Sequence, residues 1–381
     1  MKYLRDIKEL EGVKVLVRLD LNVPVQNGVV VDDFRVRKIL PTLSYLREKK
    51  ARVILMSHIE SAAGVKGDKP SLAPVAAHLE KLGVKCVFVS NYKNISSELQ
   101  KISSDTVLLL ENLRFFEGEK KNDAKFAQEL ASLADIYVNE AFAVSHRDHA
   151  SVSAITKYIP SYAGFLFEQE IKHLSSAFDP IRPFLFVLGG AKFETKLPLI
   201  EKFMGIADKV FVGGALANNF FKEEGKEVGK SLISPDNFNL ARFIGNSKLV
   251  LPVDTVLGDG KNTVKKIDEV TTEDSMYDAG TETMALLEKE IAAAKYILWN
   301  GPLGAYEQGF KQPTLELARM IAKATKNGAK SVLGGGDTLG ALAELKIEDE
   351  YTFVSTGGGA MLEFLAQGTL PAIEALEKST A

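Results

Sequence analysis

The sequence predicts an α/β protein with parallel sheets, divided into two domains. Short runs of β-branched and other apolar residues alternate along the chain with amphipathic segments that have helical spacing. Near-continuous apolar strands between such helices are typical of a parallel sheet covered on both faces. A chain of 381 residues is too long for one ordinary hydrophobic core and suits two domains.

In the first half, apolar runs predict strands, and amphipathic segments predict the helices between them. The predicted strands cover residues 13–17, 53–56, 86–89, 106–110 and 136–138. The predicted helices cover residues 36–49, 72–82, 96–101 and 123–133. A helix over residues 165–178 is predicted to connect the two halves, and Pro371 opens a short amphipathic helix over residues 370–378.

The second half repeats one pattern five times: an apolar run ends in clustered glycines, and a helix-like segment usually follows. The runs cover residues 184–188, 209–212, 296–299, 331–333 and 351–355. Glycine at such a turn lets a ligand approach the backbone, and a helix start offers unpaired N–H groups that attract phosphate. Parallel strands end at one edge of their sheet, so the turns together predict a nucleotide or polyphosphate site. A single glycine pair is explained equally well by turn chemistry alone.

Charged and polar side chains, instead of glycines, follow the predicted strands of the first half. These candidates are Arg18, Asp20, Asn22, Arg35, His58, Arg114, His146 and Arg147. Ligands of open α/β sheets bind outside the carboxyl ends of the strands, so we expect these side chains to converge there. Because the planar guanidinium fork suits carboxylate and phosphate, the pattern predicts a small-anion site. The alternative for a single arginine is an ordinary ion pair, and it applies most to Arg18.

Two anion sites of different construction, one in each half, make phosphoryl transfer the economical hypothesis. Other nucleotide and metal motifs are incomplete. Gly229-Lys230-Ser231 resembles the end of a P-loop, but Glu224 stands where that motif requires a glycine. No Gly-x-Gly-x-x-Gly opens a βαβ unit, and His146 and His149 have no cysteine partners for zinc.

Composition limits the compartment and the partners. A formal net charge of −3 gives no reason to expect nucleic acid or a membrane surface as a partner. Residues 1–14 contain no apolar signal core, and no run approaches the ~18 apolar residues of a membrane span. The single cysteine, Cys86, lies in an apolar run and is expected to be a buried, inert thiol in a reducing cytoplasm. The sequence leaves the oligomeric state open, and we expect a monomer.

Eight blocks of residues, in order, make the chain resemble the phosphoglycerate kinase family over essentially its whole length. They cover residues 18–24, 32–35, 110–115, 146–151, 189–192, 299–304, 334–338 and 355–360. Among them are Asp32-Asp33-Phe34-Arg35, Gly189-Gly190-Ala191-Lys192 and Gly334-Gly335-Gly336-Asp337-Thr338. A chance match to eight ordered blocks is not credible, so the resemblance is specific.

The resemblance implies two Rossmann-like domains joined by a helix, with the C-terminal tail returning to the first domain. Residues 1–165 with the tail 366–381 would bind 3-phosphoglycerate, and residues 178–360 would bind the nucleotide. The implied reaction is the reversible transfer of the acyl phosphate of 1,3-bisphosphoglycerate to MgADP, which gives 3-phosphoglycerate and MgATP in glycolysis.

The matched positions imply a role for particular residues. Those implied for 3-phosphoglycerate are Asp20, Asn22, Arg35, His58, Arg114 and Arg147. Those implied for the nucleotide are Gly189, Gly190, Lys192, Lys196, Gly213, Gly214, Asn300, Glu307, Gly335, Gly336, Asp337 and Thr338. Within this set, Glu307 would contact the ribose and Asp337 the Mg²⁺ ion. The implied catalytic residues are Arg35, Lys192, Lys196, Gly357 and Gly358.

The chemistry of this transfer suits these residue types. The leaving group is a carboxylate and the nucleophile is an ionised phosphate oxygen, so no catalytic base is needed. What remains is alignment and the neutralisation of charge on the transferring group. Lys192 and Lys196 are four residues apart, so the start of one helix is predicted to place both on one face.

The chain departs from the family at one substrate motif. The family's His-Leu-Gly-Arg-Pro reads here as His58-Ile59-Glu60-Ser61-Ala62. Ser61 replaces the arginine that would assist the substrate phosphate, and Glu60 adds an acid beside it. Lys66 or Lys69 would be the candidates to supply the missing charge.

Two other hypotheses remain open at this point. One is a catalytically weak nucleotide-binding protein of the same fold, which Ser61 favours. The residues that argue against it are Arg35, Arg147, Lys192, Lys196 and Asp337. The other is a dehydrogenase on a similar fold, which the missing dinucleotide fingerprint disfavours.

Overall fold

The computed structural model describes residues 1–60, 70–236 and 238–379, and the chain divides into two compact units. The first unit comprises Met1–Lys172 together with the chain from Thr369 onward, and the second is His173–Gly368. Each unit contains a six-stranded parallel sheet with helices between its strands, which confirms the predicted α/β class.

The strands of both units are short and their bounds follow the apolar runs closely. Those of the first unit are β1 (Lys14–Arg18), β2 (Val25–Gln26), β3 (Val29–Val30), β4 (Arg52–Met56), β5 (Cys86–Val89), β6 (Val107–Leu110), β7 (Ile136–Asn139) and β8 (Ser161–Ala163). Those of the second unit are β9 (Phe184–Leu188), β10 (Lys209–Val212), β11 (Leu249–Val250), β12 (Asp254–Leu257), β13 (Val264–Lys266), β14 (Met276–Ala279), β15 (Tyr296–Asn300), β16 (Lys330–Gly334) and β17 (Phe353–Val354).

Helices follow most of these strands. Up to the boundary between the units they are α1 (Phe34–Lys38), α2 (Leu40–Glu48), α3 (Ala73–Lys81), α4 (Ile95–Lys101), α5 (Glu117–Lys120), α6 (Ala124–Ala131) and α7 (Phe165–Ser175). Beyond it they are α8 (Phe193–Ile206), α9 (Ala215–Glu223), α10 (Thr281–Ala293), α11 (Gln312–Lys326), α12 (Gly336–Leu345), α13 (Gly358–Gln367) and α14 (Pro371–Lys378). The division between the units falls within α7, and α14 belongs to the first unit.

The sheet of the first unit has the strand order β5-β6-β4-β1-β7-β8, and all its pairs are parallel. The last residue of β1, Arg18, is in register with Met56 of β4 and Asn139 of β7. The segments that follow these three strands therefore start side by side at one edge of the sheet. This alignment brings together side chains that are more than a hundred residues apart in the chain.

The sheet of the second unit has the order β11-β10-β9-β15-β16-β17 and is also parallel throughout. In register, Leu188 of β9 faces both Val212 of β10 and Asn300 of β15, and Asn300 faces Gly334 of β16. The five glycine turns thus follow five adjacent strands and share one edge, as predicted. Aromatic rings fill the core beneath, with Phe184 edge-on to Phe203 and to Tyr296.

Two predicted helices have different bounds in the structure. The expected single helix over residues 36–49 is two helices, α1 and α2, and Pro41 opens the second of them. Proline has no N–H to donate to the carbonyl four residues back, so the helix is interrupted there. The connecting helix ends at Ser175 instead of continuing to residue 178. The hydroxyl of Ser176 contacts the carbonyl of His173 at 2.6 Å, and such local bonds compete with helix hydrogen bonds.

A small antiparallel sheet in the second unit was not predicted. Its order is β13-β12-β14, and Asp259-Gly260 lies in the loop between β12 and β13. An Asp-Gly pair between two β-branched segments is a recognised hairpin signal, and it could have revealed this sheet from the sequence. The sheet matters for function because it borders the cavity described below.

Candidate functional site

The loop after β1 is bonded to an arginine of α1. One terminal nitrogen of Arg35, Nη1, lies 3.0 Å from Asp20 Oδ2 and donates a second hydrogen bond to the carbonyl of Asn22 at 3.0 Å. The N–H of Asn22 in turn donates to Asp20 Oδ1 at 3.2 Å. Asp20, Asn22 and Arg35 are thus brought together, as the sequence predicted for an anion site.

Two asparagines hold the chain after β4. The side chain of Asn112 accepts from the N–H of Ile59 at 3.2 Å and donates to its carbonyl at 2.8 Å. The Oδ1 atom of Asn22 accepts from the N–H of Glu60 at 2.9 Å. These bonds place the Glu60 backbone beside the loop of β1. Ser61, Lys66 and Lys69, which the sequence analysis singled out, lie outside the described residues.

Arg114 and Arg147, here called the arginine pair, meet at the same edge. Nη2 of Arg114 is 3.5 Å and Nη1 of Arg147 is 3.3 Å from a single oxygen of Glu60, Oε1. The Nη1 atom of Arg114 also lies 3.2 Å from His149 Nδ1. Within the described part of the chain, Nε and Nη2 of Arg114 are buried and have no hydrogen-bond partner. A buried guanidinium with unmade hydrogen bonds suits an anionic ligand.

The histidines of this edge are neutral at neutral pH. Burial lowers the pKa of His58 well below 6.5, and the nearby guanidinium groups of Arg18 and Arg114 lower it further. Burial and the charge of Arg114 lower the pKa of His149 to about 4. Burial also lowers the pKa of His146. Among the described residues of this edge, the arginines therefore offer positive charge to an anion and the histidines do not.

Arg18 has a structural role that the sequence left open. Its side chain is fully buried, and its Nε donates to Ser151 Oγ at 2.8 Å while Nη1 donates to the carbonyl of Leu19. Its charge is matched by Glu119, 3.9 Å away and equally buried. Arg18 thus follows the ion-pair alternative and supports the arginine site from within the unit, near His58 Nδ1 at 3.4 Å.

In the second unit, the glycine turns are bonded to one another. The N–H of Gly189 donates to the carbonyl of Asn300 at 2.9 Å, and that of Gly190 donates to Pro302 at 2.8 Å. A Cβ atom on Gly189 would lie 2.1 Å from the carbonyl oxygen of Pro302. Gly214 has a φ of +60°, and its Cβ would lie 2.8 Å from the nitrogen of Gly190. Close backbone packing therefore requires these glycines, in addition to any contact with a ligand.

A cavity of about 420 Å³ opens beside these turns. From the predicted nucleotide residues, Gly190, Gly214, Glu307 and Asp337 line it. The remaining residues of the predicted set lie at strand ends, in turns and in the first turns of helices at the same sheet edge but are not in its lining; they are Gly189, Lys192, Lys196, Gly213, Asn300, Gly335, Gly336 and Thr338. The size falls within the range of small-molecule sites.

The apolar wall of the cavity comes from residues that the sequence analysis missed. Phe221 of α9 and Met276 and Tyr277 of β14 line it. Asp278, the next residue, is buried against the backbone of Gly304, and burial raises the pKa of its carboxyl to about 8. Met276–Ala279 shows no regular alternation of apolar and polar residues that would have marked it as a strand, and its pairing with β12 is long-range.

The two predicted lysines occupy different environments at the start of α8. Lys192 is the exposed residue immediately before the helix, whereas Lys196 is buried. The four-residue spacing therefore does not give them equivalent positions on one exposed face. Lys196 Nζ donates to the carbonyl of Gly189, and burial lowers its pKa to about 8.

Asn300 and Thr338 connect neighbouring turns. Asn300 Nδ2 donates to the carbonyl of Gly334 at 2.7 Å, and Thr338 Oγ1 accepts from the N–H of Gly301 at 2.9 Å. Asp337 lies next to Thr338 in the first turn of α12, where Gly335 is the N-cap and makes no side-chain cap. The Asp337 carboxylate is exposed and faces the cavity.

The last glycine cluster forms the start of α13. Gly357 is the N-cap and donates its N–H to Ser355 Oγ at 3.0 Å, while Gly358 has a φ of +37°. A Cβ atom on Gly358 would meet nothing within 4 Å. The space beside this helix start is thus open, as a phosphate-binding turn requires.

Within the part of the chain that the structure describes, no three His, Cys, Asp or Glu side chains gather as a metal site. Among the described helices, none has both the length and the apolar composition needed to cross a membrane.

Comparisons with known proteins agree over the whole chain. The family model described as phosphoglycerate kinase matches residues 4–368. The chain is 41% identical to a phosphoglycerate kinase of Dictyoglomus turgidum, with 98% of each sequence covered. It is 42% identical to one from Thermosipho africanus, covering 98% of this chain and 97% of the relative.

Solved structures show the same similarity in three dimensions. The phosphoglycerate kinase of Coxiella burnetii superimposes with a TM-score of 0.84 at 38% identity, covering 100% of this chain and 99% of the other. That of Pyrococcus horikoshii OT3 gives the same TM-score, 0.84, at 29% identity and with the same coverage, 100% and 99%.

Proposed function

The chain belongs to the phosphoglycerate kinase family, and on that premise we propose which of its residues perform the reaction. The enzyme transfers a phosphoryl group reversibly between 1,3-bisphosphoglycerate and ADP, giving 3-phosphoglycerate and ATP in glycolysis. The dehydrogenase alternative is thereby removed.

The first unit is the 3-phosphoglycerate-binding domain. The observation that carries this assignment is the arginine pair, because Nε and Nη2 of its buried member Arg114 make no hydrogen bond within the described chain. Arg35, Asp20 and Asn22 form the adjoining part of the site. His58 is neutral, so it contributes a hydrogen bond rather than a charge.

The second unit is the nucleotide-binding domain. The cavity beside the glycine turns has an apolar wall, formed in part by Phe221 and Tyr277, that suits a base. Glu307 at its rim would contact the ribose hydroxyls. The starts of α8, α12 and α13, together with Gly213 and Gly214, would bind the phosphates through their backbone N–H groups.

The transfer itself needs no proton movement. A terminal oxygen of ADP attacks the phosphorus of the acyl phosphate, and the bond to the carboxylate oxygen breaks, so that 3-phosphoglycerate leaves as an anion. The enzyme aligns the reactants and offsets the charge on the transferring group. Arg35, Lys192 and Lys196 would supply positive charge, and Gly357 and Gly358 would supply backbone donors.

Magnesium is the cofactor that the family implies, and the residues fit it. Mg²⁺ usually takes most of its ligands from water and phosphate oxygens, with one or two from carboxylates. Asp337 offers one exposed carboxylate in the cavity wall, without a capping role for its side chain. The bound ion would neutralise phosphate charge during the transfer.

We further propose a monomer in the cytoplasm, with no nucleic-acid or membrane partner. Burial of Cys86 raises its pKa to about 12, which makes its thiol inert and agrees with a reducing compartment. The near-neutral charge balance gives no reason for association with polyanions.

A coupled assay with 3-phosphoglycerate, ATP and magnesium tests the proposal, with Arg147→Ala and Asp337→Ala as the variants. The first is expected to raise the KM for 3-phosphoglycerate and the second the KM for MgATP. Absence of turnover in the parent protein, with ADP binding retained, would instead support a catalytically weak nucleotide-binding protein.

A further inference from the structure

Glu60 places a carboxylate on the arginine pair in the free protein. One oxygen, Oε1, contacts both members, at 3.5 Å from Arg114 Nη2 and 3.3 Å from Arg147 Nη1. Among the described residues, neither arginine has another acid within 4.0 Å. The carboxylate therefore stands where the geometry of this site would hold an anionic group of a ligand.

The backbone of Ile59 and Glu60 is held by hydrogen bonds to two asparagines, whereas the side chain of Glu60 is held, within the described chain, only by the arginine pair. Its N–H is bonded to Asn22 Oδ1, and Asn112 bonds both backbone groups of the preceding residue, Ile59. The side chain of Glu60 is 42% exposed and that of Arg147 is 37% exposed, whereas that of Arg114 is only 7% exposed. A half-exposed carboxylate thus contacts a buried guanidinium, and its side chain can rotate toward solvent while the backbone hydrogen bonds of Glu60 stay in place.

We propose that Glu60 is an affinity-determining residue that occupies the anion site as an internal carboxylate, which 3-phosphoglycerate must displace. This inference rests on the proposed function of the first unit. A half-exposed ion pair is weak, because solvent screens it and holding the side chains in place costs entropy. A bound phosphate or carboxylate satisfies the buried donors of Arg114 with charge-assisted hydrogen bonds, which are stronger. The substrate therefore displaces the Glu60 carboxylate favourably, but breaking the contacts of Glu60 with the arginine pair lowers the net affinity.

The opposite role for Glu60 makes the opposite prediction. If its carboxylate served mainly to orient the arginine pair, its removal would loosen the site and weaken the binding of substrate. Competition predicts that its removal tightens binding. The direction of the change in affinity therefore separates the two roles.

Titration calorimetry with 3-phosphoglycerate and, separately, with inorganic phosphate tests the proposal in the full chain. Glu60→Gln keeps the size of the side chain and removes its charge. Its Kd for both anions is expected to fall by roughly three- to tenfold. Glu60→Ala should act in the same direction. Glu11→Gln, which neutralises an exposed acid paired with Lys50 beyond the opposite edge of the sheet, should leave both Kd values unchanged.

Steady-state kinetics and a double variant supply the specific readouts. In Glu60→Gln the KM for 3-phosphoglycerate should fall, whereas kcat and the KM for ATP should not change. The gain in affinity from Glu60→Gln should be smaller in an Arg147→Gln background, because one of the two contacts of Glu60 is already absent there. An unchanged or raised Kd for phosphate in Glu60→Gln, or a gain that is undiminished without Arg147, overturns the inference.

The same titrations separate this inference from the proposed function. If the folded parent protein binds phosphate but not 3-phosphoglycerate, the function assigned to the first unit is wrong. Tighter phosphate binding by Glu60→Gln in that case still supports the competition between Glu60 and an anion. If the parent binds 3-phosphoglycerate and Glu60→Gln binds it no better, only the inference is wrong.

Discussion

The ammonium group of Lys196 donates a hydrogen bond to the backbone carbonyl of Gly189, seven residues earlier in the chain. The lysine side chain is buried, with the whole residue only 8% exposed, and the charge of Asp337 opposes only part of the effect of that burial. If this turn binds phosphate, as proposed above, the buried ammonium gains an anionic partner when the nucleotide binds.

Binding of MgADP near pH 8 is expected to take up protons. Burial holds the pKa of Lys196 at about 8, so a large share of the free protein has a neutral amine at that pH. Phosphate favours the charged form and raises this pKa, hence affinity should fall as pH rises from 7 to 9. Calorimetry in buffers of different ionisation enthalpy measures the uptake. Lys196→Met should abolish it and Lys192→Met should retain it; uptake that survives in Lys196→Met would assign the proton to another group.

Lys192→Ala is expected to lower kcat on the order of 10²-fold and to change both KM values much less. The ammonium group of Lys192, in the exposed residue immediately before α8, does not have to break a buried contact to move. It can therefore approach the transferring group and stabilise the charge of the transition state. Steady-state kinetics in the direction of ATP consumption measure this. Lys222→Ala, on the surface of α9, is the matched control. An effect confined to KM would make Lys192 a binding residue only.

Asp337→Ala should weaken ADP binding about tenfold or more when magnesium is present, and little when it is chelated. The N-cap of α12 is Gly335 and has no side-chain cap, so loss of a helix cap does not explain such an effect. Calorimetry with and without magnesium measures it, and 3-phosphoglycerate binding should be intact. Equal weakening under both conditions would argue for a structural role of Asp337.

Asp278→Asn is expected to become more stable relative to the parent as pH rises from 5 to 8. Burial raises the pKa of Asp278 to about 8, above its ordinary value of 3.8, so in this window the folded parent holds a proton that the unfolded chain has lost. The parent therefore loses stability as pH rises, and the amide, which cannot ionise, avoids that loss; the relative gain should be about 1–3 kcal/mol.

Urea unfolding at several pH values measures this difference. Asp259→Asn is the control, because a hydrogen bond from Thr263 lowers the pKa of the Asp259 carboxyl to about 2 and no gain is expected over the same range. A difference between Asp278→Asn and the parent that does not change with pH would show that Asp278 is ionised in the folded protein.

The sequence by itself determined the features that depend on local physics. Apolar runs such as Phe184–Leu188 form strands because both of their faces are buried, and each is visible without knowledge of its neighbours. The glycines after these runs can also be recognised from the local sequence, because a tight turn with no room for a side chain accepts only glycine. Adjacent parallel strands place these turns on one edge of the sheet, so the pattern by itself predicted which edge would bind phosphate. The resemblance added the roles of particular residues, which stay predictions.

Only the tertiary structure decided which partners these residues have. Arg18 and Arg114 have the same local signature, yet one is paired in the interior with Glu119 and the other retains buried donors at the site. Glu60 meets Arg147 across 87 residues, and no local rule selects that partner. Burial is a property of the packed fold. It lowers the pKa of Lys196, and the same packing places Asp278 in the cavity wall. The local sequence thus determines the strands and the glycine turns. The charge states and the pairing of side chains depend on which groups the tertiary fold places next to one another.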